Sequence, residues 1–515
     1  MSILKAVVTV GSYTGLSRIF GLVREILMSH FLGAGMVTDA FFVAFRFPNF
    51  FRRFFGEGAF NAAFVPLFAS EMVEHGREHA KKIANDVFSC MAFFLTIFSI
   101  TIILATPYII HILAPGFATT PERLELATNF IRITFPYILF MSLTALISGI
   151  LNSLNKFASA AAAPIILNLV MIASLLLSHY YGWDQGYSLC ISVFIAGILQ
   201  FAGVYYASSK QGFALTLKKP TLSPAVRKLL KVMGPSALGA GVMQINIFID
   251  SVLASFLPTG AVSYLYYADR LNQLPLSIFG IAISTALLPL LAKQLQRGED
   301  HQALRTTTQS IEASLLLTLP STVGLIMMAV PIIDLIYGHG KFDTLAIAQT
   351  APTLAAFAVG LPAYVVGKVL STCFFARQDT KTPLKIASIT IFINLALNLT
   401  LIGPLQHIGL ALSTAIAAWV NTALLAYVMH RKGWYTVMNK ELFYVCVKIC
   451  AATFIMGALL FALDFIIEKP TSTFEEIVNV MTRITAGGAT FLVATHVLGI
   501  STFFKLIFKK RANKS

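Results

Sequence analysis

MAFFLTIFSITIILATPYII, residues 91–110, runs for twenty positions without an Asp, Glu, Lys, Arg or His. A helix of about 20 apolar residues is long enough to cross the ~30 Å hydrocarbon core of a bilayer. This run is the centre of a predicted span at 83–112, and the chain has thirteen other stretches of the same kind. They lie at roughly 5–31, 37–57, 127–151, 160–179, 187–208, 230–256, 262–290, 310–337, 346–374, 384–403, 408–429, 442–466 and 478–504. The sequence therefore predicts an all-α polytopic membrane protein with fourteen transmembrane helices.

The composition of the whole chain agrees with a membrane protein. Of its 515 residues 57% are hydrophobic and only 12% are charged, with a mean hydropathy of +0.77. Soluble domains have about 25% charged residues, and one core cannot bury so large an apolar fraction. The five scattered cysteines match neither a disulfide framework nor a zinc pattern. The first apolar run is too long for a cleavable signal peptide, so we expect it to remain as a membrane helix.

The lysine and arginine residues of the predicted loops lie almost entirely on one side of the membrane. When the N-terminus and the even-numbered loops are placed together, that side carries 25 of them and the other side carries 3, Arg123, Lys341 and Lys469. Cytoplasmic loops are enriched in Lys and Arg, so this asymmetry predicts that both termini are cytoplasmic. It accounts for most of the net charge of +15, and no single basic face indicates nucleic-acid binding.

The chain resembles itself at an offset of about 225 residues. Phe31-Leu32-x-x-Gly35-x-Val37-Thr38 matches Phe256-Leu257-x-x-Gly260-x-Val262-Ser263, and Pro66-Leu67-x-Ala69 matches Pro289-Leu290-x-Ala292. Chance similarity among apolar helices is the alternative. Six spans separate the copies, so the repeats are parallel, and transporters built from repeats bind their substrate where the halves meet. We predict an N-lobe at 1–208, a cytoplasmic linker at 209–229, a C-lobe at 230–430, and two extra helices with a basic tail at 431–515.

Basic residues inside the predicted spans point to an anionic passenger. Arg18, Arg24, Arg46, Arg52 and Arg53 lie in the first two spans, and Asp269-Arg270 lie in the eighth. An arginine at mid-bilayer costs at least ~2.5–3.5 kcal/mol, so we expect these side chains to face a wet, net-positive cavity. Guanidinium groups fit phosphate oxygens especially well. The alternative is a structural ion-pair network between spans 1 and 2, with Arg24 and Asp39 as a candidate pair.

Other polar residues in the spans carry weaker hypotheses. Asp250 with Asn394 and Asn398 offers a carboxylate and amide oxygens, which suit a sodium ion, but hydrogen bonding between helices is the more common role of such residues. Arg132, Lys448 and Arg483 are expected to extend to the membrane surface from helix ends. His30, His111, His339, His407, His75 and His79 are expected to be interfacial or solvated.

No enzyme signature is found in the sequence, which contains no P-loop, GxSxG or HExxH motif. Transport then has to be driven by a gradient, a membrane potential or a partner. A membrane glycosyltransferase or polymerase acting on a lipid-linked sugar would need catalytic carboxylates in a large outer loop. The longest outer loop is only about fifteen residues, which argues against that class.

Several motifs together resemble one known family. They are Gly33-Ala34-Gly35-Met36-Val37-Thr38-Asp39-Ala40-Phe41-Phe42-Val43-Ala44-Phe45 followed by Pro48-Asn49 and Arg52-Arg53; Glu57-Gly58-Ala59-Phe60 and Phe64-Val65-Pro66; Ala114-Pro115-Gly116-Phe117; Tyr266-Tyr267-Ala268-Asp269-Arg270; and Arg377-Gln378-Asp379-x-Lys381-Thr382-Pro383. In combination they resemble the MurJ (MviN) lipid II flippases of the multidrug/oligosaccharidyl-lipid/polysaccharide exporter superfamily, and the resemblance extends along the whole chain.

The resemblance implies two six-helix lobes around a central cavity, with the last two helices forming a groove for a polyprenyl tail. It implies that the substrate is lipid II, undecaprenyl-diphosphate carrying a disaccharide-pentapeptide. By motif position the essential cavity residues are Arg18, Arg24, Asp39, Arg52 and Arg270, and the supporting ones are Ser17, Arg46, Asn49, Ser263 and Asp269. Some members carry lysine at the position of Arg46, and some carry glutamate at the position of Gln273. Because Gln273 has no carboxylate, a proton-binding role at residue 273 is weakened in this chain.

The function expected from the residues and the resemblance together is flipping of lipid II from the cytoplasmic to the periplasmic leaflet by alternating access. The expected location is the bacterial inner membrane. We expect no cofactor, and a coupling cation (Na⁺ or H⁺) or the membrane potential as the driving force. The expected partners are lipid II, membrane lipids and the cell-wall synthesis machinery, with the protein acting as a monomer. The alternative is an exporter of a drug or of another polyprenyl-linked glycan in the same superfamily.

Overall fold

The computed structural model of the chain describes residues 3–55, 59–434, 440–467 and 472–500, and these residues form helices and connecting turns without a strand. The helices are α1 (Ile3–Leu32), α2 (Met36–Phe55), α3 (Ala59–Glu74), α4 (Gly76–Leu113), α5 (Pro121–Thr134), α6 (Tyr137–Ser153), α7 (Phe157–Tyr181), α8 (Gln185–Lys210), α9 (Pro224–Ser255), α10 (Ala261–Pro275), α11 (Ile281–Gln296), α12 (Asp300–Met327), α13 (Ala329–Tyr337), α14 (Thr344–Val359), α15 (Leu361–Ala376), α16 (Lys381–Arg431), α17 (Lys440–Ile466) and α18 (Thr473–Val497). The motif residues Glu57 and Gly58, Lys469 and the basic tail from Lys505 lie outside the described residues.

The observed helices agree with the predicted number of spans. Within the described ranges, ten helical segments are long and apolar enough to cross a membrane. One of them, α16, is two helices that meet at Gln406 (φ 49°, ψ −130°), so it provides two of the predicted spans. Helices α1, α2 and α9 occupy the remaining three. The chain is therefore a multi-pass, all-α membrane protein.

Several predicted spans consist of two shorter helices because proline interrupts them. The span predicted at 127–151 is α5 followed by α6, and they meet at Phe135 and Pro136. Pro275 ends α10, and a π-helical turn at Leu276–Gly280 leads into α11. Proline has no N–H to donate to the carbonyl four residues earlier, so these are the places at which a regular helix is least favoured.

Helix α3 lies between the predicted spans at 37–57 and 83–112, where the sequence predicts no membrane helix. Phe60, Phe64 and Phe68 recur at four-residue spacing and form one buried face, with ring centroids 5.3 and 5.7 Å apart. This face packs into a core with α4, α6 and α9. With sixteen residues α3 is too short to span a bilayer, which explains why a search for spans overlooks it.

The chain divides into two compact units. One consists of Met1–Ser263 with Gly340–Phe342, and the other consists of Tyr264–His339 with Asp343–Ser515. The first has a core around α3, α4, α6 and α8. The second has one core where α11, α12, α15 and α16 meet and another between α12, α17 and α18. The lobe boundaries predicted from the repeat, at residues 208 and 230, remain a prediction.

Candidate functional site

Helix α2 carries four of the predicted site residues, and a proline interrupts its main-chain hydrogen bonds. Pro48 cannot donate to the Ala44 carbonyl one turn earlier. The Thr134 hydroxyl of α5 lies 3.2 Å from that carbonyl oxygen and shares its proton between it and a carbonyl of its own helix. The Asn49 amide donates to the Phe45 carbonyl at 2.7 Å. Side chains thus bond carbonyls that the bilayer core cannot hydrate.

Asp39, in the first turn of α2, is the most completely enclosed of the predicted site residues. Its side chain is 0% exposed. Oδ1 accepts hydrogen bonds from the Ser263 amide at 2.9 Å and from the Ser263 hydroxyl at 2.6 Å, while Oδ2 accepts one from the Gly260 amide at 2.7 Å. Arg123 Nη2 donates to Oδ2 at 2.8 Å. A buried carboxylate needs this many donors to offset the loss of its hydration.

Three of these donors come from the start of α10. Gly260, with φ +97°, precedes the helix, and Ser263 lies in its first turn. The first N–H groups of a helix have no partner within it and attract anions, so Asp39 caps α10 from another helix. The two repeat segments matched in the sequence, 31–38 and 256–263, are the segments that lead into this contact. Asp39 and Ser263, predicted separately as site residues, lie in direct contact.

Arg123 is the residue of this cluster that the sequence analysis placed wrongly. It was counted as an outer loop charge, but it is 4% exposed, at the start of α5. Besides Asp39 it donates to the Leu257 carbonyl at 3.3 Å, and its guanidinium carbon lies 3.8 Å from the centre of the Phe117 ring. The alternative pairing of Asp39 with Arg24 is wrong. Both Asp39 and Arg123 begin predicted spans at the same face of the membrane, and this was the signal available for finding the pair.

The motif Ala114-Pro115-Gly116-Phe117 supports the same cluster. Its glycine approaches the end of α9 so closely that a Cβ at Gly116 would lie 2.3 Å from the Ser255 carbonyl oxygen. The Gly116 amide accordingly donates to the Ser255 hydroxyl at 3.0 Å. Phe117, directly after it, is fully buried and provides the ring beneath Arg123. The motif therefore places both an aromatic surface and a close backbone contact beside the Asp39 cluster.

Arg24 on α1 also lies in a buried polar cluster. It is 6% exposed, and Nη2 donates to Glu25 Oε1 at 2.9 Å, while Nη1 donates to Asn168 Oδ1 of α7 at 2.9 Å. The Asn168 amide in turn donates to the Ser17 carbonyl at 2.9 Å. The sequence suggested Asp39 as a candidate partner of Arg24, and Glu25 and Asn168 were overlooked. In this conformation Arg24 is neutralised, and both of its Nη atoms donate to side chains of the protein.

The other arginines of α1 and α2 are more accessible. Arg18 is exposed, and Arg46 and Arg52 are half-buried. Arg46 Nη1 donates to the Ser251 hydroxyl of α9 at 3.1 Å. The side chain of Arg53 lies outside the described residues. Arg46 therefore has a protein contact while part of its side chain stays exposed.

In the second unit, Arg270 and Asp269 each have a hydrogen-bond partner on their own helix. Arg270 donates to the Tyr266 hydroxyl at 2.8 Å, and its guanidinium carbon lies 4.8 Å from the centre of the same ring. The Gln273 amide donates to an oxygen of Asp269. Asp269 and Arg270 are both half-buried. Lys368, a cation for which the sequence analysis assigned no role, is half-buried on α15 and packs near Gly280.

The residues considered for a sodium ion fall into two separate hydrogen-bonded pairs. Asp250 Oδ2 lies 3.4 Å from the Asn246 amide, one turn away on α9. Asn398 donates to Asn394 Oδ1 at 2.9 Å, and both asparagines are fully buried on α16. Asp250 belongs to the first unit and the asparagines to the second. Binding of a cation by these residues remains a prediction.

Two expectations about polar residues near helix ends are wrong. Arg483 does not extend to the membrane surface, because it is 7% exposed and donates to Asn479 at 2.6 Å and to Asp464 of α17. His407 is not interfacial, since it is 3% exposed, contacts the Tyr264 ring and lies 3.2 Å from the Gln349 carbonyl oxygen. Both residues found partners on neighbouring helices, and helix periodicity gives no information about such contacts.

Comparison with known proteins identifies the family. The lipid II flippase MurJ family matches residues 28–482. A probable lipid II flippase MurJ of Rhizobium tropici is 40% identical over 504 residues, which cover 97% of this chain and 92% of that protein. A solved structure of lipid II flippase MurJ in an inward closed conformation aligns with a TM-score of 0.80 and 28% identity, over 97% of this chain and 99% of that one.

A more distant likeness extends to a multidrug transporter. The inward-facing structure of a multidrug resistance MATE family transporter of the MOP superfamily aligns with a TM-score of 0.66 over 83% of this chain and 98% of that one. Its identity of 16% establishes a shared fold only. The two close matches, by sequence and by structure, cover nearly all of the chain, and they show that it belongs to the lipid II flippase MurJ family.

Proposed function

We propose that this chain flips lipid II from the cytoplasmic to the periplasmic leaflet of the bacterial inner membrane by alternating access through a cationic cavity. Family membership supports the substrate. The observation that carries the proposal is the state of Arg18, Arg46 and Arg52, which stay exposed or half-exposed on helices that cross an apolar medium. Basic side chains within membrane-spanning helices mark substrate pathways, and a diphosphate provides acceptor oxygens for several guanidinium groups.

The proposal divides the predicted residues by role. In the first unit Arg18, Arg46 and Arg52 are assigned to the diphosphate, with Ser17 and Asn49 in support. In the second unit Arg270 is assigned to it, with Asp269 in support. Arg24 is held by Glu25 and Asn168 in the present state and turns to the substrate when α1 and α7 move apart. Asp39, Arg123 and Ser263 form a lock at the outer end of the first unit, since positive-inside orientation places the start of α2 at the periplasmic side.

Release of this lock is the step that opens the periplasmic side. The Asp39 contacts join α2, α5 and the start of α10, so separation of α10 from α2 breaks three hydrogen bonds at once. The groups set free are strongly polar and gain water when the outer side opens, which offsets the lost contacts. The reverse change closes the outer side before the next lipid enters from the cytoplasm.

The driving force is proposed to be the membrane potential or a coupling cation, with no bound cofactor. Moving one charge through 100 mV is worth ~2.3 kcal/mol. A membrane potential that is negative inside therefore favours the conformation in which the arginines of the empty cavity face the cytoplasm. Asp250, Asn394 and Asn398 are the candidate ligands for sodium. The protein is proposed to act as a monomer that delivers lipid II to the cell-wall synthesis machinery, with both termini in the cytoplasm.

A reconstituted assay tests the proposal. Purified protein is placed in liposomes that contain lipid II with a fluorescent stem peptide, and a membrane-impermeant quencher reports the fraction that changes leaflet. Arg18→Ala and Arg52→Ala are expected to reduce flipping at least about tenfold, while Arg132→Ala, an exposed arginine on α5, serves as the matched control. Unchanged flipping in both cavity variants would contradict the site. Flipping of another polyprenyl-linked glycan or export of a cationic drug, in place of lipid II, would favour the alternative function.

A further inference from the structure

A group of two histidines and one glutamate lies where the chain turns from α3 into α4. Glu71 is in the last turn of α3, His79 is in the first turn of α4, and His75 lies between the two helices. Gly76, with φ +83°, allows the chain to reverse there. The sequence alone suggested only two solvated histidines in a charged loop, because the corner that brings Glu71 to them follows from the presence of α3.

The three side chains already converge on one point. Glu71 Oε2 lies 3.0 Å from His75 Nδ1 and 3.4 Å from His79 Nε2. The three ligand atoms lie within 4.8 Å of one another, and the two imidazole centroids are 4.9 Å apart. Glu71 is 18% exposed, and the histidines are 55% and 46% exposed. The acid is thus fixed against the protein, while the imidazoles are open to water on their outer side.

These separations match the spacing of ligands around a tetrahedral metal ion. Zinc binds imidazole nitrogen at about 2.0–2.1 Å and carboxylate oxygen at about 2.0–2.2 Å. Two ligand atoms at those distances and at the tetrahedral angle lie about 3.3–3.5 Å apart. The His79 contact, 3.4 Å, falls within that range, and the His75 contact, 3.0 Å, is slightly shorter. A divalent ion can therefore replace the protons shared between Glu71 and the imidazoles with small side-chain movements.

The donor set selects the kind of metal. Magnesium and calcium prefer oxygen ligands, whereas imidazole suits zinc, copper and nickel. Two histidines and one glutamate, with a fourth position open to water, form a three-ligand zinc arrangement. We propose that Glu71, His75 and His79 bind Zn²⁺ and so join the end of α3 to the start of α4. This site shares no residue with the proposed diphosphate site, and it does not depend on the proposed transport function.

The consequence of binding follows from what α3 contacts. The buried face of α3 packs against α4, α6 and α9. A metal ion that joins α3 to α4 fixes the corner on which this packing depends. An ion that binds only the folded state raises its stability, so zinc is expected to raise the thermal unfolding midpoint of the protein.

The test uses the full-length protein purified in detergent, with zinc chloride as the probe and a fluorescent zinc chelator as competitor. The wild type is expected to bind one zinc, and His75→Ala and His79→Ala are expected to weaken binding at least about tenfold. His301→Ala removes another exposed histidine and is expected to bind as the wild type does. Both cluster histidines are solvent-facing, so these variants are expected to fold, and Glu71→Gln provides an independent ligand substitution.

A rival source of zinc binding has to be tested in parallel. Cys446 and Cys450 are free thiols one turn apart on α17, and thiols bind zinc readily. The proposal is supported if the double variant Cys446→Ser/Cys450→Ser keeps the tight site and X-ray absorption shows nitrogen and oxygen ligands only. Absence of stoichiometric zinc binding, binding that survives both histidine substitutions, or binding lost only in the cysteine variant would each overturn it.

Discussion

The two acidic residues of the predicted site, Asp39 and Asp269, are held in opposite ways. Asp39 is fully enclosed, and its partners lie 84 to 224 residues away in the sequence, on α5 and at the start of α10. Asp269 is half-buried and bonds Gln273, one turn along its own helix. Contacts between helices depend on where those helices lie. Asp39 is therefore suited to sense a rearrangement of α2, α5 and the start of α10.

The largest expected effect comes from removing the charge of Asp39. Asp39→Asn leaves Arg123 buried without its counter-ion, and breaking a buried pair in this way costs about 3–5 kcal/mol. We expect a large fall in the thermal unfolding midpoint and a loss of flipping. The matched substitution Asp269→Asn is expected to change stability by less than about 1 kcal/mol. Equal effects of the two substitutions, measured by thermal unfolding in detergent, would remove the distinction drawn between them.

A double-substitution cycle separates the ion pair from the rest of the cluster. Arg123→Met keeps the apolar contact with Phe117 but leaves Asp39 with only its neutral donors. Because Asp39→Asn no longer needs a cation, the double variant is expected to be less destabilised than the sum of the single variants, with a coupling of about 1–3 kcal/mol. Additive effects in the same unfolding measurement would mean that Arg123 acts on Asp39 only weakly.

A smaller effect is expected from single hydroxyl groups. Ser263→Ala removes the 2.6 Å hydrogen bond to Asp39 but keeps the Ser263 amide in place, and a bond to a charged group contributes about 1.5–3 kcal/mol. Tyr266→Phe removes the hydroxyl that accepts a hydrogen bond from Arg270 but keeps the aromatic ring beside the guanidinium group. Arg270 is only half-buried. We expect a change below about 1 kcal/mol for Tyr266→Phe. The comparison fails if Tyr266→Phe proves the more damaging of the two.

The smallest effect is expected at an ion pair outside the spans. The hydrogen bond from Lys432, 2.6 Å from Asp379 Oδ2, lowers the pKa of the Asp379 carboxyl to about 2. A depressed pKa of an acid stabilises the fold above its unfolded value near 3.9, and that stabilisation is lost as pH falls towards 2. Lys432 is 37% exposed, so the pair is expected to contribute under about 1 kcal/mol.

Unfolding of the wild type and of Lys432→Met at two pH values measures this contribution. The difference between their midpoints is expected to be present at pH 7 and to shrink below about pH 4, because Asp379 then gains a proton in the unfolded chain while it stays charged in the folded one. A difference that grows on acidification would show that the lysine acts through some other contact. The Asp39 variants serve as the reference for what a buried pair contributes.

The sequence predicts the membrane helices and the family for identifiable reasons, and it names Asp39 and Ser263 as site residues without predicting their contact. Apolar length alone locates the spans, and the repeat segments 31–38 and 256–263 lead to Asp39 and Ser263, which the structure joins. The sequence does not predict the partners of the buried charges. Glu25 follows Arg24 directly on α1, whereas Asn168 bonds Arg24 because α1 packs on α7. Periodicity within one helix carries no information about the neighbouring helix. Arg123 was misassigned because loop charge counts treat every outer lysine and arginine as solvated.

Pro48 leaves the middle of α2 one main-chain hydrogen bond short, and the hydroxyl that replaces it belongs to Thr134 of α5. The stiffness of α2 at that point is therefore set by a neighbouring helix as well as by its own backbone. While α5 stays in place, the part of α2 with Asp39 and the part with Arg52 move together as one rigid helix. If α5 withdraws, the same point becomes a hinge, and the end of α2 that carries Asp39 is uncoupled from the end that carries Arg52.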